Sequence, residues 1–172
     1  MEQSKSIDLS VIIVSYNVEH FLHLCLESVY AAINNINAEI IVIDNASADN
    51  SVEMMRKKFP STRVISNVDN LGFGKANNKA TKLAKGRYVC ILNPDTIVSQ
   101  KTFEEFIQLH EANPTIGISG PQMIDGTGQF LLESKRGLPT IKAAVFKSLG
   151  LFRLSSRFFG QYYNLSLPQN QN

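Results

Sequence analysis

Four short strings carry the residue types that could do chemistry: Ser15-Tyr16-Asn17, Asp44-Asn45-Ala46-Ser47, Asn70-Leu71-Gly72-Phe73-Gly74 and Asn93-Pro94-Asp95. Their side chains are hydroxyls, amides and two carboxylates, a set suited to recognising a polar ligand by hydrogen bonds. The glycine-containing string adds a second capability. Glycines let a ligand approach the backbone closely, and the helix expected after them offers free N–H groups to an anion. It is neither the dinucleotide fingerprint, since GxGxxG is absent, nor a Walker loop, since GK[ST] is absent. Each string alone also suits a turn or a helix cap.

The elements around these strings decide whether they can act together. Leu9–Ser15 (LSVIIVS) is a short β-branched apolar run, of the kind buried on both faces of a parallel sheet. Helical spacing of Phe21, Leu22, Leu24, Cys25, Val29 and Ile33 then continues to about Asn34. Further strands are expected at Glu39–Ile43, Arg63–Ser66 and Arg87–Leu92, and a short one at Ile116–Ser119. The intervening helices are an Asp49-capped one to about Phe59, one over about Lys75–Ala84 that Gly86 terminates, and Thr102–Ala112 before Pro114. This βαβαβαβαβ order predicts an α/β fold with a doubly wound, mostly parallel sheet and helices on both faces. In such sheets ligands bind outside the carboxyl ends of the strands, where three of the strings fall.

In order and separation, VIIVSYN, IVIDNASADNS, NLGFGKANN and YVCILNPDT resemble the nucleotide-sugar-binding half of family 2 glycosyltransferases. These have the Rossmann-like GT-A fold, and the resemblance covers about Leu9 to Met123. The nearest flavour is the rhamnosyltransferase-like branch of cell-surface polysaccharide biosynthesis. The resemblance implies a transferase that binds a nucleotide-diphosphate sugar, with a uridine or thymidine diphosphate (UDP or dTDP) favoured. Asp44 would accept from a base N–H, which its carboxylate can do and cannot reciprocate. Ser15 and Asn17 would border base and ribose, with the Ser47 hydroxyl nearby. Gly72 and Asn77 or Asn78 would line the pocket.

Asn93-Pro94-Asp95 stands where that family usually has Asp-x-Asp, so an amide replaces the first carboxylate. Asp95 remains as the expected metal ligand. Mg²⁺ or Mn²⁺ is commonly held by one or two carboxylates, with phosphate oxygens and waters completing six. Such a metal would stabilise charge on the departing nucleoside diphosphate. An inverting enzyme also needs a general base for the acceptor hydroxyl, an Asp or Glu in a later acidic block. Here the carboxylates after Glu111 are Asp125 and Glu133, neither in such a block, so no catalytic base is assigned. The chain is therefore expected to be the donor-binding part of a longer enzyme and to transfer sugar poorly or not at all.

Charge divides the chain in the same way. Residues 1–133, the expected nucleotide-sugar-binding domain, hold 11 Lys+Arg against 15 Asp+Glu, a balance of −4, whereas residues 134–172 hold six basic residues and no acid. Six of the 15 aromatic residues also fall in that second segment. Its Ser134–Thr140 stretch resembles the Arg-rich segment after the donor domain, so Arg136 is a candidate for contact with a glycan or lipid-linked acceptor. Residues 141–159 mix basic and aromatic side chains, fitting either a membrane interface or a protein contact. No nucleic acid partner is expected, because no reading motif is present. No apolar run spans a membrane or resembles a signal peptide, which predicts a cytoplasmic protein, peripheral at the cytoplasmic face of the membrane if the basic segment meets lipid. Cys25 and Cys90 fall in predicted buried elements without metal spacing, and two thiols are too few for a disulfide scaffold. The rival readings are a non-catalytic nucleotide-binding or interaction module and a sugar nucleotidyltransferase. The second would carry a Gly-rich basic loop after the first strand, where this sequence has SYNVEHF.

Overall fold

A computed structural model describes residues 6–131. They divide into two compact units, one ending at Ser119 and one beginning at Gly120. The first holds four strands and four helices: β1 (Leu9–Ser15), α1 (Glu19–Ala32), β2 (Ala38–Asp44), α2 (Ser51–Lys58), β3 (Arg63–Ser66), α3 (Phe73–Thr81), β4 (Tyr88–Leu92) and α4 (Thr102–Ala112). All strand pairs are parallel and the sheet order is β3-β2-β1-β4. The register sets Ser15 beside Asp44 and Asp44 beside Ser66, so the strand tips end level. The doubly wound α/β architecture matches the expectation.

Successive strand residues point to opposite faces, and both faces of β1 and β2 are apolar. Val11, Ile13, Ile40, Val42 and Leu92 pack on one face against Leu22, Cys25, Leu26 and Val29 of α1, Met54 and Met55 of α2, and Phe103 of α4. On the other face Ile12, Val14, Ile41 and Ile43 meet Ala76 and Ala80 of α3. Those alanines, one helical turn apart, let α3 lie close to the sheet. Each fully buried isoleucine contributes about 1.5–3 kcal/mol. α3 packs mainly over β1 and β2, and Val89 and Ile91 of β4, on its side of the sheet, are 43% and 54% exposed.

Two expectations need correction. Ile116–Ser119 forms no strand: its one backbone bond of note is a turn, Ile116 N–H to Asn113 O at 3.0 Å, and Ile118 is 94% exposed. Pro114, Gly117, Gly120 and Pro121 interrupt a segment whose alternating isoleucines have the period of a strand but no neighbour to pair with among the described residues. The third helix begins at Phe73 and ends at Thr81, three residues short of Ala84. Gly86 therefore does not cap it. Gly86 instead lies against β1, its N–H donating to Ser10 Oγ at 2.8 Å, and Ser10 Oγ in turn donates to Glu39 at 2.7 Å.

The second unit is described as far as Leu131. Its residues 123–131 form a hairpin-like turn closed by Leu131 N–H to Met123 O at 2.9 Å, with Gly128 at φ +84°. Among the described residues, no helix is long and apolar enough to cross a membrane. Arg136, Glu133, the 133/134 boundary and the basic aromatic segment lie outside the described residues.

Candidate functional site

The chain order 3-2-1-4 puts its switch point between β1 and β4, and an open cleft of about 400 Å³ lies at the carboxyl ends there. Ser15 comes to it from the tip of β1, Asn45 from β2, Gly72 and Phe73 from the start of α3, and Asn93, Pro94 and Asp95 from the loop after β4. Of the predicted site residues, Ser15, Gly72, Asn93 and Asp95 thus share one wall-to-wall space. Ser15 is fully buried and its hydroxyl has no hydrogen-bond partner among the described residues.

Asp44, at the tip of β2, is 2% exposed and is not among the residues lining the cleft. One carboxylate oxygen accepts from the Ser47 N–H at 3.2 Å, and the other, Oδ1, has no hydrogen-bond partner among the described residues. A buried carboxylate oxygen without a donor is costly, which leaves Oδ1 as an unspent acceptor.

Asn17 and Ser47 are spent partly on each other. Asn17 N–H donates to Ser47 Oγ at 3.0 Å, and Asn17 Oδ1 accepts from Ala48 N–H at 2.7 Å. This clasp joins the β1–α1 loop to the β2–α2 loop and holds Asn17 (φ +53°) and Ala46 (φ +68°) in left-handed backbone. The Ser47 hydroxyl accepts in the clasp, so its own proton stays available to a ligand. Asp49 reinforces the junction, accepting from Glu19 N–H at 2.9 Å and Ser51 N–H at 3.0 Å. Burial pushes its acidity toward higher pH, but the Ser51 hydroxyl and these amides outweigh that and hold the carboxyl below its ordinary value.

The loop after β4 rests on α1. Cys25 Sγ donates to Asn93 O at 3.6 Å, and Ser28 Oγ accepts from Val98 N–H at 3.2 Å. Burial pushes the Cys25 thiol up to about 12 and Cys90 up to about 11, so both are packing groups rather than nucleophiles.

Asn77 and Asn78 are not brought into the cleft. They lie five and six residues beyond Gly72, roughly 8 Å along the helix axis. Asn77 is buried, its Nδ2 donating to Phe73 O at 3.0 Å. Asn78 lines a separate basic concavity with Lys75, Lys79 and Lys82. The sequence reading includes Asn45 and Asn70 in its candidate strings but assigns neither a role, and both line the cleft. Their signal was present as three asparagines, Asn45, Asn67 and Asn70, in the loops after two adjacent strands.

No three His, Cys, Asp or Glu side chains cluster among the described residues as a complete metal site. Asp95 offers one exposed carboxylate, and Asn93 an amide two residues before it. That donor set fits a hard divalent cation only when a ligand's phosphate oxygens complete the shell. Asp125, the late acid of the described chain, is engaged elsewhere: its Oδ1 accepts from the Thr127 hydroxyl and from the Thr127 and Gln129 amides. The Thr127 hydroxyl, ahead of those amides, holds its carboxyl below the usual range.

Comparison with known proteins agrees with this geometry. The chain is 34% identical over 114 residues to the minor teichoic acid biosynthesis protein GgaB of Bacillus subtilis, covering 64% of this chain and 13% of GgaB. It is 32% identical over 133 residues to an uncharacterised glycosyltransferase of Methanocaldococcus jannaschii, covering 74% of this chain and 46% of that protein. The chain thus spans less than half the length of these curated relatives. Among solved structures, Staphylococcus aureus TarS 1–349 in complex with UDP-GlcNAc superposes with a TM-score of 0.58 at 23% identity, covering 67% of this chain and 37% of that one. The mannosyltransferase PcManGT of Pyrobaculum calidifontis, in complex with GDP-Man and Mn²⁺, gives a TM-score of 0.58 at 23% identity, covering 66% and 35%. These two share the fold. Residues 10–164 match the family described as Glycosyl transferase family 2, and the chain belongs to that family.

Proposed function

We propose that this chain is the donor-binding part of an inverting, metal-assisted glycosyltransferase that extends a cell-surface glycan or a lipid-linked acceptor from a nucleotide-diphosphate sugar. The observation that carries the reading is the cleft at the switch point, where Ser15, Asn45, Gly72, Asn93 and Asp95 converge, with Asp44, next to Asn45 in the chain, keeping a buried oxygen that has no donor among the described residues. A base N–H supplies that donor, with Ser15 and the Asn17–Ser47 clasp beside base and ribose. Gly72 lets the diphosphate approach the backbone. Asp95, with Asn93 alongside, would hold Mg²⁺ or Mn²⁺ together with the diphosphate oxygens, and the cation would stabilise the charge left on the nucleoside diphosphate. In transfer, the acceptor oxygen bonds to the anomeric carbon as the bond to the diphosphate breaks, and a carboxylate takes the hydroxyl proton. No described residue is assigned to that last role. TarS bound to UDP-GlcNAc supports a uridine donor, and the names of GgaB and of the poly(ribitol-phosphate) beta-glucosyltransferase of Bacillus spizizenii, both similar to this chain, support a cell-wall acceptor. Arg136 is retained as an acceptor-side contact, and a site at the cytoplasmic face of the membrane accords with the basic segment that carries it.

Calorimetric titration of the 172-residue chain with UDP, dTDP and GDP, with and without Mn²⁺, tests the reading. Binding of UDP or dTDP should strengthen with Mn²⁺, and Asp95→Ala should abolish the strengthening. Asp44→Asn should weaken binding about 10- to 100-fold. With its oxygen toward the Ser47 N–H, the amide nitrogen faces the base donor, and the lost charged hydrogen bond is worth ~1.5–3 kcal/mol. Failure of the wild-type chain to bind any of the three nucleotides would refute the proposal, and measurable transfer by this chain alone would refute its donor-only part.

A further inference from the structure

The side chain of Asn45 is 2% exposed and lies between the end of β2 and the loop that opens α3. Its Oδ1 accepts from Leu71 N–H at 3.2 Å and from Asn67 Nδ2 at 2.9 Å. Its Nδ2 donates to Asn70 Oδ1 at 2.9 Å, and that same oxygen accepts from Gly72 N–H at 2.9 Å. The direction of the amide is fixed, because a backbone N–H can only donate and Oδ1 must face Leu71. Asn67 is tied back as well, its N–H donating to Asp44 O at 2.8 Å and its Oδ1 accepting from Lys79 of α3. The backbone of Asn45 is anchored to the other side of the cleft, its N–H donating to Ser15 O at 2.8 Å. One residue therefore links the tips of β1 and β2 to Leu71 directly and, through Asn70, to Gly72, where the chain turns at φ +76° into the helix. The position requires a donor and an acceptor at once, which an amide has and a carboxylate lacks.

We infer that Asn45 is a positioning residue for the donor site: it presets the Asn70–Gly72 turn, so that the cleft wall formed by Asn70, Gly72 and Phe73 stands in place before the nucleoside diphosphate arrives. The inference rests on the nucleotide-sugar reading of the cleft. A turn held beforehand costs no ordering on binding, whereas a loosened one subtracts that cost from affinity.

The test combines residue-resolved amide hydrogen exchange with UDP titration in Mn²⁺, on the full chain and three variants. Asn45→Ala should speed exchange at Leu71 and Gly72 at least tenfold and weaken UDP about 5- to 30-fold. Asn45→Asp keeps the acceptor for Leu71 but loses the donor to Asn70, so Leu71 should stay protected while Gly72 exchanges faster. Asn70→Asp keeps the oxygen that serves both Asn45 and Gly72, and both amides should stay protected, a rescue that general destabilisation would not give. Should Asn45→Ala fail to fold, the two aspartate variants still decide the matter by their opposite effects at Gly72. Unchanged exchange at Leu71 and Gly72 in the Asn45 variants, or a UDP affinity within twofold of wild type despite a loosened turn, overturns the role of Asn45 alone. A wild-type chain that binds no nucleotide overturns the donor-site reading, and this role falls with it.

Discussion

Replacing Gly86 by alanine should destabilise the domain more than its place in a surface connection suggests. A Cβ built there would lie 2.6 Å from Leu9 C, 2.8 Å from Ser10 Oγ and closer still to the Ser10 backbone nitrogen. Ordinary contacts between such atoms are about 3.5–4 Å, so roughly 1 Å of movement is required. The atoms in the way belong mainly to the backbone of β1, which pairs with strands on both sides and cannot move alone. Movement of Gly86 instead breaks its 2.8 Å hydrogen bond to Ser10 Oγ. Overpacking of this kind costs about 1–3 kcal/mol and the lost bond about 1 kcal/mol, giving ~2–4 kcal/mol in all. For a domain of about 120 residues, 1 kcal/mol corresponds to ~4 °C, so Tm should fall by about 8–16 °C. Thermal and urea unfolding followed by circular dichroism measure it, with Gly74→Ala as the comparison. Gly74 lies in the first turn of α3 with open space around a built Cβ, and its alanine should be neutral or stabilising by up to ~1 kcal/mol. Equal melting of the two variants would show that the connection does not press on β1 and would refute the reasoning.

Two further predictions concern groups around the cleft. With thiols pushed up to about 12 and about 11, Cys25 and Cys90 are thiolate to only about one part in 10⁴ and 10³ at pH 8. An aromatic disulfide reagent should leave both unmodified over the time in which the urea-unfolded chain reacts completely; fast labelling of the native chain contradicts their packing role. Asp49 has a carboxyl held below its unfolded value, so its contribution to stability is present above the ordinary carboxylate pKa of about 3.9 and is lost as pH falls through the lower folded value. Urea midpoints of wild type and Asp49→Asn should therefore differ at pH 7 and converge below about pH 4. A difference that persists unchanged to pH 3 would mean that the charge on Asp49 is not what joins the two loops.

Much of the fold was legible because strand and helix periods here are reinforced by tertiary burial. Leu9–Ser15 reads as a doubly buried strand and is one, since α3 covers one face and α1 the other. Ile116–Ser119 has the same local alternation, and nothing in a local pattern tells whether an edge exists to receive it. The start of α3 was misplaced by two residues because Phe73, exposed and apolar, carries no signal of a helix start. Gly72 before it does, once its positive φ is known. Ser15, Gly72, Asn93 and Asp95 were legible as neighbours in the cleft because each follows or interrupts a recognisable element. The Asn45 network was not. Its members are separated by 22 to 26 residues and meet only because β2 and β3 are neighbours.

The strand order has a consequence for synthesis. β1 is made before the three other strands of its sheet but ends up interior, and the partner on its β4 side follows roughly 75 residues later, a delay of about 4–15 s at ordinary elongation rates of 5–20 residues per second. Through that interval β1 can already pair with β2 while its other edge, part of an uninterrupted VIIV run, stands open on the ribosome. That edge is a template for another nascent chain as much as for β4. Pauses placed between the codons for Ser66 and Leu92 would lengthen the exposure, and faster decoding of that stretch would shorten it.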